Sequence, residues 1–207
     1  MTTAIAAPRS GGRRRTLYFV RHGETDWNRV ARLQGQQDVA LNDLGRRQAG
    51  EAAQHLRDLI GAQANELPWI VSPMARTMET MRIMRRSLGL PDHGWRSEER
   101  LRELSFGQWE GLTWKEVRKA DPPGAALRTA DKWGFTPPGG ESYATLLERI
   151  RPVIEGLSGD AIMVAHGGVA RAALVLLTGM EPAAATMEDI WQGRVLVFEA
   201  GGFFWVP

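Results

Sequence analysis

The sequence predicts an α/β layer fold with a largely parallel sheet, and three short apolar runs carry that expectation. LYFV (17–20), WIV (69–71) and AIMVA (161–165) are each continuous rather than alternating and rich in β-formers, as in strands covered on both faces. Each leads toward a segment with helical periodicity, and strands alternating with helices in this way build a parallel sheet between helical layers.

The elements follow in chain order. After LYFV, the stretch LNDLGRRQAGEAAQHLRDLIG spaces Leu44, Ala52, Leu56, Leu59 and Ile60 along one helical face, with Asn42 as its N-cap. Beyond WIV, Ser72 and Pro73 read as N-cap and first residue of a helix reaching Leu88. TWKEVRKA (113–120) is a short helix, and DPPG and TPPGG mark loops. From Ser142, the residues Tyr143, Leu146, Leu147, Ile150, Ile154 and Leu157 form an apolar helical face that Pro152 should disturb. AIMVA is followed by the helix GVARAALVLLTG, and RVLVFEAGGFFWV reads as a hairpin turning at Gly201-Gly202.

Composition removes several classes of function. The 207 residues are 43% hydrophobic and 24% charged, enough apolar material for one sizeable core. Cysteine is absent, which removes disulfides, thiolate zinc sites and thiol nucleophiles, and fits a reducing compartment. The formal net charge is +2, but Arg9, Arg13, Arg14 and Arg15 supply +4 with no acid among residues 1–15. The rest of the chain has 22 basic against 24 acidic side chains, a net of −2. Basicity therefore belongs to residues 1–15, read as a solvated, disordered tail ahead of a single domain over 16–207, and it is no argument for nucleic acid. That tail lacks the apolar core of a secretory signal, and no run approaches the ~18 apolar residues of a membrane span. The expectation is a cytoplasmic protein with no nucleic-acid or membrane partner.

In open α/β sheets the ligand site lies beyond the carboxyl ends of the strands. Arg21-His22 and His166-Gly167 each stand just past a buried strand, 144 positions apart, and the Ser72-to-Arg76 turn stands past a third. Three distant segments thus deliver polar groups to one rim. Arg21 and Arg76 suit either structural ion pairs or an oxyanion clamp. Two histidines beside two arginines suggest a division of labour. One neutral imidazole attacks phosphorus, its other nitrogen fixed by a hydrogen bond, while the second donates to the phosphoryl oxygens. The HGG stretch adds backbone donors, and phosphoryl transfer depends mostly on positioning and charge stabilisation, so these parts suffice without metal. A metal site built from His22, Glu24 and His166 is the competing reading; no HExxH or carboxylate cluster stands behind it. A leaving alkoxide also needs a proton, and Glu98, Glu99, Glu103 and Glu110 all lie in EERLRELSFGQWEGLTW. Pattern alone does not choose among them.

Five segments taken in order make the choice. RHGETDWN, LQGQQDVALNDLGRRQA, SPMARTMET, LRELSFGQWEG and VAHGGVAR together resemble the histidine phosphatase superfamily, phosphoglycerate-mutase-like branch, over residues 16–200. The resemblance implies a three-layer α/β/α sandwich with a mostly parallel, mixed central sheet. It also implies His22 as a nucleophile that becomes phosphohistidine, with Arg21, Arg76 and His166 around the phosphate and Glu103 as general acid and then base. Asn28, Gln34, Gly35 and the Gly167 backbone are implied as substrate-binding groups, and neither metal nor cofactor is required.

The chain departs from the family pattern in two ways. Met74 and Met81 stand where leucine and alanine are usual, swaps that a core tolerates. The segment from Gly111 to Pro138 is shorter than in mutases, and its Arg118, Lys119, Arg128 and Lys132 do not follow the mutase arrangement. A short, open cap admits water, so the expectation is a phosphatase acting on a small phosphorylated metabolite and resembling α-ribazole and broad-specificity phosphatases. A phosphoglycerate mutase and a non-catalytic phospho-ligand binder are the alternatives; a homodimer is left open. Trp27, Phe106, Trp109, Trp114 and Trp133 fall near the site segments and are candidates to line a pocket. A protonated His166 would make activity fall at alkaline pH.

Overall fold

The computed structural model describes residues 15–206, so the first fourteen residues of the predicted tail lie outside the described residues. Arg15, assigned to that tail, instead donates to the carbonyls of Glu155 and Leu157 and belongs to the folded body.

In chain order the elements are β1 (Leu17–Arg21), α1 (Asp26–Arg29), α2 (Asp43–Ile60), β2 (Trp69–Val71), α3 (Ala75–Ser87), β3 (Trp95–Ser97), α4 (Trp114–Ala120), α5 (Pro122–Ala130), α6 (Tyr143–Glu155), β4 (Ala161–Ala165), α7 (Gly167–Thr178), α8 (Pro182–Ala185), β5 (Val195–Glu199) and β6 (Gly202–Val206). The six strands form one sheet in the order β3-β2-β4-β1-β5-β6. β3, β2, β4 and β1 run parallel; β5 pairs antiparallel with β1, and β6 antiparallel with β5. The mixed, mostly parallel sheet is thus present as expected.

The unbroken apolar runs have a direct cause. Leu17 and Phe19 of β1 join Met163, Leu196 and the buried faces of α6 and α7 in one cluster. Tyr18 and Val20 join Ile162, Val164 and residues of α2 and α3 in another. Successive side chains point to opposite faces of a strand, so a sheet sandwiched between helices needs apolar residues at every position. A third, small cluster of Leu33, Trp109 and Val117 sits beneath α4 and α5.

Several local expectations are corrected. Helix α3 begins at Ala75 with Met74 in the cap position, so Ser72 and Pro73 precede it. The DPPG loop is the start of α5: the Asp121 side chain accepts from the Gly124 N–H, and Pro122 sits in the first turn, where its missing N–H costs nothing. Helix α6 continues through Pro152 to Glu155. The hairpin turns at Ala200-Gly201, both with positive φ, one residue before the predicted pair.

Register then places the site. Leu17 pairs with Ala161 and Arg21 with Ala165, and the His22 N–H continues the ladder to the Ala165 carbonyl at 3.0 Å. Val71 pairs with Val164, and the Ser72 N–H reaches the Val164 carbonyl at 3.0 Å. Three strand ends therefore finish level. The loop after β1 is held by a glycine contact, since a Cβ on Gly45 would fall 2.1 Å from the Glu24 carbonyl oxygen. We expect Gly45→Ala to lower stability by about 1–3 kcal/mol in urea titration. An unchanged midpoint would contradict the tight seating of this loop on α2.

Candidate active site

Arg21, His22, Asn28, Gln34, Gly35, Arg76 and Glu103 all border one cavity of about 310 Å³ at the carboxyl ends of the parallel strands. His166 is fully buried and adjoins it, with its ring centroid 5.2 Å from that of His22 at an interplanar angle of 61°. Gly167 opens α7 beside Arg21, where an added Cβ would lie 3.6 Å from the Arg21 Nε. The geometry brings the predicted residues together from five separate segments.

Backbone chemistry sets the state of His22. Its Nδ1 is 2.7 Å from the Gly23 carbonyl oxygen, which can only accept, so Nδ1 carries the hydrogen and Nε2 keeps its lone pair. Burial pushes this imidazole well below its ordinary pKa, and the nearby Arg76 and Arg21 add to the effect. Burial, then Arg76, His22 and Arg21, does the same to His166. Both rings are therefore neutral near pH 7. This corrects the expectation of an alkaline loss of charge on His166, because in the protein alone that charge is already absent.

The two arginines are held by carbonyls. Arg76, fully buried, donates from Nη1 to Gln37 and from Nη2 to Gly35, each at 2.8 Å. Gly35 has φ 53°, a left-handed conformation that favours glycine, and an added Cβ would fall 2.1 Å from the Glu110 carboxylate. Arg21 donates from Nη1 to the Ile190 carbonyl at 2.8 Å. Burial lowers its pKa to about 10, still cationic at neutral pH. Among the described residues, five buried side-chain polar atoms lack a partner, and four are at this site: Arg21 Nε, Arg76 Nε, Gln34 Oε1 and His166 Nδ1. Buried polar atoms are seldom left unpaired, and the two guanidinium Nε–H donors among these four suit an acceptor-rich ligand.

The structure also separates the four candidate carboxylates. Glu103 borders the cavity and accepts from the N–H groups of Leu104 (2.9 Å) and Gly168 (3.0 and 3.2 Å). A Cβ on Gly168 would lie 2.4 Å from Glu103 Oε1, so the glycine allows this approach. Glu98 pairs with Arg100, and Glu99 with Arg102. Glu110 is a structural hub that accepts from the Gln36 and Phe106 N–H groups and the Ser105 hydroxyl. Glu24, a member of the competing metal set, accepts from Asn42 instead. Among the described residues no group of three or more acidic, histidine or cysteine side chains could hold a metal ion.

Other residues contribute that sequence reasoning passed over or misjudged. Tyr143 was expected only as part of an apolar helix face, yet it borders the cavity, as do Arg32 and Arg171. Arg171 was legible as the one charge within GGVARAALVLLT. Arg128 and Lys132 also line the cavity, Arg128 lying 4.0 Å over the Trp114 ring. Of the five aromatic candidates, Phe106 and Trp114 border the cavity; Trp109 is buried in the small cluster and Trp133 stacks on Tyr143. Trp27 packs near Gly111.

The buried histidines predict a pH dependence of stability. A histidine whose folded-state pKa lies below the ordinary 6.5 contributes stability that is complete above that value. On acidification the unfolded chain takes up protons that the folded one refuses, and the contribution is lost. We expect unfolding free energy, from urea titrations between pH 7 and 5, to fall by as much as ~1.4 kcal/mol per pH unit for each ring. The double variant His22→Asn/His166→Asn should have a shallower slope; an identical slope would contradict the assignment.

Known proteins resemble this chain in sequence and in fold. Glucosyl-3-phosphoglycerate phosphatase of Mycolicibacterium vanbaalenii is 35% identical over 178 residues, covering 80% of this chain and 75% of the relative. The 6-phosphofructo-2-kinase/fructose-2,6-bisphosphatase of Gallus gallus is 35% identical over 163 residues, which span 77% of this chain and 32% of that protein. The native structure of mycobacterial glucosyl-3-phosphoglycerate phosphatase superposes with a TM-score of 0.74 at 31% identity, covering 89% of this chain and 90% of that one. Bacillus stearothermophilus YhfR gives 0.77 at 27% identity, with 91% and 94% covered. The model of the histidine phosphatase superfamily (branch 1) matches residues 17–205. With paired imidazoles, paired guanidiniums and a carboxylate at the strand ends, this chain belongs to branch 1 of the histidine phosphatase superfamily and is a phosphatase.

Proposed function

We propose that the protein hydrolyses phosphomonoesters in two steps through phospho-His22, and that it favours substrates carrying a second anionic group. The carrying observation is the neutral His22 ring, its Nδ1 hydrogen donated to Gly23, in contact with His166 beside the guanidiniums of Arg21 and Arg76. In the first step His22 Nε2 forms a bond to phosphorus as the ester P–O bond breaks, and Glu103 gives its proton to the departing oxygen. In the second, Glu103 takes a proton from water as the water oxygen attacks the phosphoryl group. The P–N bond then breaks, inorganic phosphate leaves, and His22 Nε2 regains its lone pair. Arg21 and Arg76 offset the charge of the three phosphoryl oxygens throughout, with His166, Asn28, Gln34 and the Gly167 backbone as further contacts.

The preference for a second anion rests on charge. Beyond Arg21 and Arg76 the cavity wall carries Arg32, Arg128, Lys132 and Arg171, against the single carboxylate of Glu103. Burial, with Arg171 and Arg128 close by, lowers the Lys132 pKa to about 8. Two relatives named for glucosyl-3-phosphoglycerate and for fructose-2,6-bisphosphate accord with this reading.

p-Nitrophenyl phosphate turnover tests the first part. We expect His22→Ala to lower kcat by at least ~10³-fold, as loss of a nucleophile does. Equal rates in both proteins would contradict the assignment. A sugar bisphosphate or a phosphorylated hydroxy acid tests the second. Removing a charge-assisted hydrogen bond costs about 1.5–3 kcal/mol, so Arg128→Ala should lower kcat/KM for such substrates roughly 10–100-fold and leave p-nitrophenyl phosphate nearly unchanged. Because Lys132 loses its charge as pH rises through about 8, the advantage of the second anion should shrink over that range. An equal loss for both substrate types would contradict the subsite.

A further inference from the structure

The SPMAR stretch marks Ser72 as a helix cap, yet its hydroxyl stands 2.7 Å from His166 Nε2, and both residues are fully buried. Ser72 is held rigidly for this contact. Its N–H donates to the Val164 carbonyl at 3.0 Å, and its own carbonyl accepts from Thr77 Oγ1 at 2.8 Å. The serine is therefore an extension of β2, aimed at the residue that follows β4.

Two arrangements of the shared hydrogen are conceivable. If His166 Nε2 carried it and donated to Ser72, the serine hydroxyl hydrogen would have no acceptor among the described residues, and the Nδ1 lone pair would also be unmet. If Ser72 donates to Nε2, its hydroxyl is satisfied and a single group remains, the Nδ1–H. A buried polar group left without a partner is costly, and the second arrangement leaves one such group where the first leaves two, so the second is favoured. The ring is neutral, so the choice of tautomer decides whether Nδ1 can donate at all.

We infer that Ser72 is a positioning residue that fixes His166 as the Nδ1–H tautomer, making Nδ1 a hydrogen-bond donor to the transferring phosphoryl group. Nδ1 is one of the unpartnered buried atoms of the site. A lone pair there would repel a phosphoryl oxygen, whereas an N–H attracts it and more strongly as charge develops. The two histidines thus share one tautomer and use it oppositely. His22 spends its Nδ1–H on Gly23 and presents a bare Nε2; His166 spends its Nε2 lone pair on Ser72 and presents an Nδ1–H. This inference rests on the hydrolytic reading above.

Nitrogen-15 NMR of the wild-type protein near pH 7.5 reads the tautomer directly, using the ring signals that disappear in His166→Asn to assign it. We expect a protonated Nδ1 and an unprotonated, hydrogen-bonded Nε2. Kinetics on p-nitrophenyl phosphate supply the second readout. Ser72→Ala should lower kcat/KM roughly 10–100-fold, the scale that follows loss of the partner orienting a metal-bound histidine. Combined with His166→Ala it should add almost nothing, because its effect passes through that ring. A protonated Nε2 in the wild type would overturn the tautomer assignment, and additive losses in the double variant would overturn the positioning role. A wild type inert toward phosphomonoesters would remove that role together with the hydrolytic reading, whatever the tautomer observed.

Discussion

Arg76 is a fully buried cation whose terminal nitrogens rest on the carbonyls of Gly35 and Gln37. Among the described residues no carboxylate lies within ion-pair distance of it; Glu103, Asp38 and Glu110 act on it from further away. Taking a guanidinium out of water without a paired charge is costly, and the surroundings are arranged to bear that cost. The loop that supplies the carbonyls turns at Gly35, whose left-handed backbone lies directly against the Glu110 carboxylate. Burial keeps both imidazoles neutral, and the field of Arg76 and Arg21 reinforces it. A neutral His22 is a nucleophile; a protonated one is not.

The sheet makes this concentration of charge feasible. β1, β4 and β2 are adjacent and parallel, so Arg21-His22, His166-Gly167 and Ser72 emerge at one level. His22 and Ser72 each inherit a ladder hydrogen bond next to their strand ends, so this part of the site is built on regular sheet backbone. Loops bring the rest. The segment around Glu103 is braced by Arg149, which donates to the Arg102 carbonyl at 3.0 Å and pairs with Glu141 at 2.7 Å. Above them, α4 and α5 carry Trp114 and Arg128 to the cavity wall, followed by Lys132, whose ammonium donates to the Thr186 carbonyl.

Much of this was legible in the sequence because burial on both strand faces leaves an unbroken apolar run, and polar residues at its end stand out. Arg21, His22 and His166 were found on that ground alone. The choice of Glu103 among four acids was not available to pattern reasoning. It depends on the Gly168 N–H, which is 65 positions away and meets the carboxylate only in the fold. Ser72-Pro73 has the local form of a cap, and what overrides it is a tertiary partner, His166. DPPG was mistaken for a loop although its Asp-Pro order also fits a capped helix start, which is what α5 uses. The hairpin turn shifted because Ala200 accepts a left-handed conformation at φ 53° that two following glycines made unnecessary to expect. Tyr143 looked like core because its helix face is core; the same side chain spans from the apolar cluster to the cavity.

The central claim is that the lone pair on His22 Nε2, exposed by the Gly23 contact, takes the phosphoryl group. Trapping the enzyme during turnover with an alkaline denaturing quench, followed by mass spectrometry of its peptides, tests this most directly. The account predicts one phosphoryl group on the imidazole of residue 22, appearing before steady state and disappearing as substrate is exhausted. Sustained turnover with the phosphoryl group on another residue, or on none, would contradict it.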